Sequence, residues 1–146
     1  MHITSDHPYD NHAAPLMDMK ERDRPTDLSE FYRALSASRR CYVILILSNS
    51  DKAKLSVRTL AREIAAIENG VPCEHATGEP YRNVYNALSQ THLPNLNNVN
   101  IVEYDHDRQV VRPASQLPVA AVILNIGPAI QQILDSPGAQ IFDKNQ

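Results

Sequence analysis

The stretch THLPNLNNVNIVEYDHDRQVV, residues 91–111, changes its hydrophobic period part-way along. Before it and through Leu96, apolar side chains recur at helical spacing: Tyr81, Val84, Tyr85, Leu88 and Leu96 point one way. Arg82, Asn83, Asn86, Ser89 and Gln90 point the other. From Ile101 the pattern alternates, with Ile101, Glu103 and Asp105 set against Val102 and Tyr104. A period of 3.6 marks a helix and a period of 2 a strand. The spacing therefore predicts a helix over "EPYRNVYNALSQTHLPNLNN", with Pro80 in its first turn, feeding straight into a hairpin. The hairpin turns at His106–Asp107 and returns along "RQVVRP". Pro94 should kink or restart the helix, because proline has no N–H for the carbonyl four residues back.

Upstream, three more helices are expected. The first begins at Thr26 or Asp27 and runs through "LSEFYRALS", with Leu28, Phe31 and Leu35 on its inner face. "SRRCYVILILSNS" follows, with Ser38 as cap. It is apolar nearly all round from Cys41 to Leu47, as a central core helix would be, and its β-branched Val43, Ile44 and Ile46 leave a buried strand as the alternative. "LSVRTLAREIAAIENG" is the clearest: Ser56 caps it, Leu60, Ile64 and Ile67 with Ala61 and Ala65 form the inward stripe, and Gly70 ends it. Residues 1–26 lack periodicity and read as a flexible arm, so the folded unit is 27–113. Residues 114–146 form a C-terminal segment. Its stretch from Pro113 to Leu134 carries no charge, and its length would span a bilayer. Asn125, Gly127, Gln131 and Gln132 interrupt it, which favours a helix used for packing or self-association, started by Pro128 and stopped at Gly138. The fold class is mainly α with a small β-hairpin, an α+β winged helix-turn-helix with a C-terminal apolar helix.

The functional consequence follows from groove geometry. The major groove of DNA is about 12 Å wide and admits one α-helix. A preceding helix braces it, and a hairpin wing reaches to phosphates or the next groove. The reading helix must be apolar inside and rich in Arg, Asn, Gln, Ser and Thr outside, as residues 81–92 are. Residues 1–27 are net −3 and the last 33 residues net −1, while residues 28–113 are net +1, with His75, His92 and His106 available to add to it; a polyanion partner and a solvated neutral surface both account for this.

These residues resemble a known family. "FYRALSASRRCYVILIL", "LAREIAAIENG", "VYNALSQTHLPNLNNVNIVEYD" and the later "VVR" look like a small winged-helix family of halophilic archaea, a domain of unknown function related in form to ArsR-like regulators. The resemblance covers about residues 28–113. It implies binding to double-stranded DNA by analogy of fold. The chain departs from the pattern at Asn100, where the family carries Gly; Asn is the next-best residue for a left-handed backbone position.

The candidate DNA contacts are Arg39 and Arg40 at a helix start, Arg58 on the bracing helix, Arg82, Asn83, Asn86 and Gln90 toward bases, and His106 and Arg108 at the wing tip. Each has a plainer reading as part of a hydrated face. His92 is expected to hydrogen-bond within the fold. Cys73–Glu74–His75 is half a zinc site with no partner pair in view, so no metal or other cofactor is expected. Cys41 reads as a small hydrophobe, and no disulfide framework is present in the spacing. Neither HExxH nor GxSxG occurs, and the four scattered glycines exclude a glycine-rich phosphate cradle, so no enzyme and no small-molecule substrate are expected. The N-terminus has no apolar signal region, so a cytoplasmic location is expected. The leading expectation is a homodimeric transcriptional regulator. The alternative is a winged helix that docks protein rather than DNA, held at a membrane if the C-terminal segment inserts.

Overall fold

The computed structural model describes residues 27–136. The expected arm over 1–26 and the stop at Gly138 lie outside them. The described chain is mainly helical with a small antiparallel sheet, an α+β fold. Its order is α1 (Leu28–Ala34), α2 (Ser38–Asn49), β1 (Leu55–Ser56), α3 (Val57–Asn69), a 3-10 turn at Cys73–His75, α4 (Gly78–Ala87), a π turn at Leu88–His92, α5 (Leu93–Asn98), β2 (Val102–Asp105), β3 (Val110–Pro113) and α6 (Leu117–Leu134).

Local chemistry sets the boundaries. The Asp27 carboxylate accepts the Ser29 amide at 2.8 Å and starts α1. Ser56 accepts the Thr59 amide at 3.0 Å and starts α3. Gly70 ends α3 with φ +62°, a left-handed position that costs a residue with a Cβ more than glycine. Asn100 holds the same conformation, also at φ 62°, as its short amide side chain permits. There it turns the chain from α5 into β2, its own amide donating to Asn97 O and its carbonyl accepting from Gln116.

Several expectations are corrected. Ser38 lies inside α2 and Ala37 precedes it as cap, with no side-chain bond. The strand alternative for residues 41–47 fails, because those residues are helical throughout. Leu28 and Ile67 face outward, at 69% and 51% exposure, while Phe31 and Ala34 fill the inner side of α1. The restart expected at Pro94 is present: α4 passes through the π turn and α5 begins at Leu93 with Pro94 in its first turn, the backbone staying helical from residue 78 to 98. The widened turn, in which the Leu93 amide reaches back to Leu88 O, absorbs the mismatch. α6 begins at Leu117 rather than Pro128, which lies within it.

One aliphatic core holds these elements. Ile44, Leu60, Ile64, Leu88, Leu93, Leu96 and Ile101 are fully buried, from four elements and the α5–β2 connection. Each such side chain contributes about 1.5–3 kcal/mol when removed from water. The first turns of α6 join this core through Leu117, Ala120 and Ala121. The sheet has order β1–β3–β2. Tyr104 pairs with Val111 and Glu103 with Arg112 across the hairpin, and Leu55 pairs with Val111 on the other edge of β3. The two-residue strand β1 has too little pattern to be seen in sequence.

Candidate nucleic-acid interface

The polar side of the long helix is open. Arg82, Asn83, Asn86 and Gln90 are all exposed. Val84 and Leu88 on the opposite side are buried, with Tyr81 and Tyr85 half-buried against the core. Steps of four, from 82 to 86 to 90, keep three of the outward residues on one row.

Ser89 is the exception on that face. Expected outside, it is buried at 9% exposure. The π turn carries more residues per turn than an α-helix, so positions inside it rotate relative to the face before it. Ser89 thereby meets Tyr104 of β2: its Oγ lies 3.0 Å from the phenol oxygen, and the phenol donates to Ser89 O at 3.3 Å. Gln109 closes the network. Its Nε2 donates to Tyr104 Oη at 2.8 Å and to His106 O at 2.8 Å. Its backbone stands at φ 55°, and its carbonyl accepts the first amide of α3, from Val57, at 2.9 Å. The Tyr104 amide donates to Asn97 Oδ1 at 2.9 Å. The hairpin is thus tied to the π turn, α5 and the start of α3, fixing its angle to the open helix face. Sequence reading found neither Ser89, Tyr104 nor Gln109 as positioning residues. Tyr104 sits at an apolar step of the strand pattern, which hides its hydroxyl.

At the hairpin tip, Arg108 is 82% exposed. Its amide donates to Asp105 Oδ1 at 3.1 Å, while its guanidinium stands 4.0 Å from the same carboxylate, a loose pairing that leaves the side chain in solvent. His106 is exposed and rests edge-on against the Tyr104 ring. Arg58 is exposed in the first turn of α3.

Two of the expected contacts are differently employed. Arg40 is not a surface cation. It is buried at 9% exposure, and its guanidinium donates to Ala34 O at 2.7 Å and Arg33 O at 3.2 Å. It satisfies the Ala34 carbonyl at the end of α1 and shares the Arg33 carbonyl with the Ser36 amide and hydroxyl. Its third contact is His92 Nδ1 at 3.2 Å. Arginine has no acceptor, so Nδ1 accepts and His92 carries its proton on Nε2. Burial, together with the Arg40 and Arg39 charges, holds the His92 imidazole below its ordinary range. Arg39 is bound bidentately by Glu68, with contacts of 2.7 and 2.9 Å. Its charge is largely compensated there.

Acids interleave with the remaining cations. Glu68 and Glu79 line a shallow depression with Arg39 and Asn83. Glu103, Asp105 and Asp107 border an open hollow of about 900 Å³ beside the hairpin, opposite Arg112. Among the described residues, no group of three or more His, Cys, Asp or Glu is placed to hold a metal ion.

A family model described as "Domain of unknown function (DUF7344)" matches residues 32–112. The chain belongs to that family. The match runs from Tyr32 in α1 to Arg112 in β3, so the DUF7344 region holds the open helix face, the hairpin and the network joining them. Comparison with curated proteins and with solved structures finds no match.

Proposed function

We propose that this DUF7344 chain is a winged-helix DNA-binding protein acting in transcriptional regulation, and so in the cytoplasm with the chromosome. α2 serves as the scaffold helix, α3 as the bracing helix, α4 with the π turn as the groove-entering helix, and β2–β3 as the wing. The observation that carries this reading is the outward set Arg82, Asn83, Asn86 and Gln90 on a rod whose inner side is locked to the core, with the hairpin held beside it. Arg pairs bidentately with guanine, and Asn or Gln with adenine. Arg58 and Arg108 are the phosphate contacts that fit best, since Arg40 is internal and Arg39 is paired. Two such cations per domain imply a log–log salt slope of about −2 for one domain, shallow beside strongly basic regulators.

The test is a mobility shift with duplex DNA from the region upstream of the protein's own gene. The wild type should shift it, and Arg82→Ala with Asn86→Ala should abolish the shift while circular dichroism stays unchanged. A double variant that binds as well as wild type removes the reading. A salt slope near −10 would also oppose it.

A second reading has its own support. The acids Glu68, Glu79, Asp105 and Asp107 among the cations suit a protein-docking winged helix. In that case duplex DNA is not shifted at any sequence at low salt.

A further inference from the structure

We propose that α6 is a homodimerisation helix, pairing with α6 of a second copy of this chain through the side it turns away from its own core. α6 is apolar on two opposite sides. Leu117, Ala120 and Ala121 are buried, with half-buried Leu124 continuing their row. At about 100° per residue, Val119, Val122, Ile126 and Ile133 fall on the far side. These four are exposed at 47%, 56%, 46% and 66%. A helix side that exposes several large apolar residues in a row belongs against something. The spacing of the exposed set, three, four and seven residues, is the repeat by which two helices interlock side chains.

Three observations select a second copy as the occupant. First, α6 contains no charged residue, so two copies meet about a two-fold axis without like-charge repulsion. Nor does it offer an acidic or basic partner anything to pair with. Second, the repeat needs a facing helix with the same repeat, which α6 itself supplies. Third, α6 is unsuited to the other apolar environment, lipid. Its 18 residues have a mean hydropathy of 1.6, enough by length and composition to cross a membrane. Yet Asn125 and Gln132 are exposed along it, and Pro128 has no N–H to give the Leu124 carbonyl. Hydrocarbon leaves such groups unsatisfied, whereas a wet helix–helix boundary does not. The inner side of its first turns is also committed to the core of this domain.

The area predicts a modest affinity. The seam from 119 to 133 is about 21 Å long. One helix side of that length falls short of the roughly 800 Å² per partner of a standard stable interface. A dissociation constant of about 1–100 µM is therefore expected. Anchoring of the first turns on the core removes much of the helix-nucleation cost that would weaken so short a free pair.

The test is sedimentation equilibrium of the full chain from about 1 to 300 µM. The wild type should shift from monomer to dimer across that range. Val122→Glu with Ile126→Glu should be monomeric, and so should Val122→Lys with Ile126→Lys, each with unchanged circular dichroism. An equimolar mixture of the two should recover dimer, because opposite charges then face each other across the seam. A wild type that stays monomeric at the top of the range overturns the proposal. So does a dimer that both charged variants retain. Flotation of the wild type with phosphatidylglycerol vesicles, without dimer in solution, assigns α6 to lipid instead and equally overturns it. None of these readouts uses DNA, so the proposal and the DNA-binding reading stand or fall separately.

Discussion

Removing one oxygen atom from Tyr104 tests whether the hairpin is held by the network described above. Tyr104→Phe keeps the ring and its packing but deletes the acceptor for Gln109 Nε2 at 2.8 Å and the partner of Ser89 Oγ at 3.0 Å, along with the weaker 3.3 Å bond to Ser89 O. A net hydrogen bond contributes about 1 kcal/mol, and a stranded buried group costs about 1–3 kcal/mol. Ser89 is buried, but Tyr104 is only half-buried, so water reaches part of the site. The expected loss is therefore about 1.5–2 kcal/mol. With a urea m-value of about 1.5 kcal/mol/M, the midpoint should fall by about 1 M. Tyr32→Phe, on the exposed side of α1 at 55% exposure, is the control and should change stability by less than about 0.5 kcal/mol. A Ser89→Ala, Tyr104→Phe double-mutant cycle should give a coupling of about 1 kcal/mol, since the two groups touch. If Tyr104→Phe costs no more than the control, or the cycle is additive, the network does not hold the hairpin.

Acid should destabilise the fold through His92. Its folded-state pKa lies below the ordinary 6.5, so the unfolded chain binds the proton more tightly; stability should be full above about pH 7 and fall as the pH drops through 6.5 and below, and His92→Gln should flatten that slope in urea titrations between pH 5 and 8. Arg40→Met should strand the Ala34 carbonyl, while Arg33 O keeps the Ser36 amide and hydroxyl, at a cost of about 1–3 kcal/mol, and raise the His92 pKa, followed by NMR of the imidazole protons; an unchanged pKa would show that Arg40 does not act on it. Gly70→Ala places a Cβ at φ +62° with no clash nearby, so the loss should be conformational alone, about 1 kcal/mol in thermal unfolding.

Periodicity revealed the elements whose signal is local. The α3 stripe apart from Ile67, its Ser56 cap and Gly70 stop, and the helix-to-hairpin order were readable in this way, whereas the left-handed position at Asn100 was implied by the family resemblance. Residues whose role depends on distant partners were not. Arg40 reads as a helix-start cation until α1 folds back and presents its carbonyls. Ser89 reads as outward until the π turn rotates it. β1 exists because β3 offers an open edge. Of the candidate contacts, Arg58, Arg82, Asn83, Asn86, Gln90, His106 and Arg108 are exposed, Arg39 is tied to Glu68, and Arg40 is internal.

The π turn at Leu88–His92 has a consequence for how this rod tolerates change in length. It accommodates one residue more than a regular helix would over the same rise. Deleting a single residue there would rewind the segment to α geometry and swing everything beyond it by about 100°. Leu93 and Leu96 would leave the interior, and Asn97 would lose the Tyr104 amide. The surplus residue acts as a phase adjuster, letting a surface-facing half and an interior-facing half share one continuous backbone.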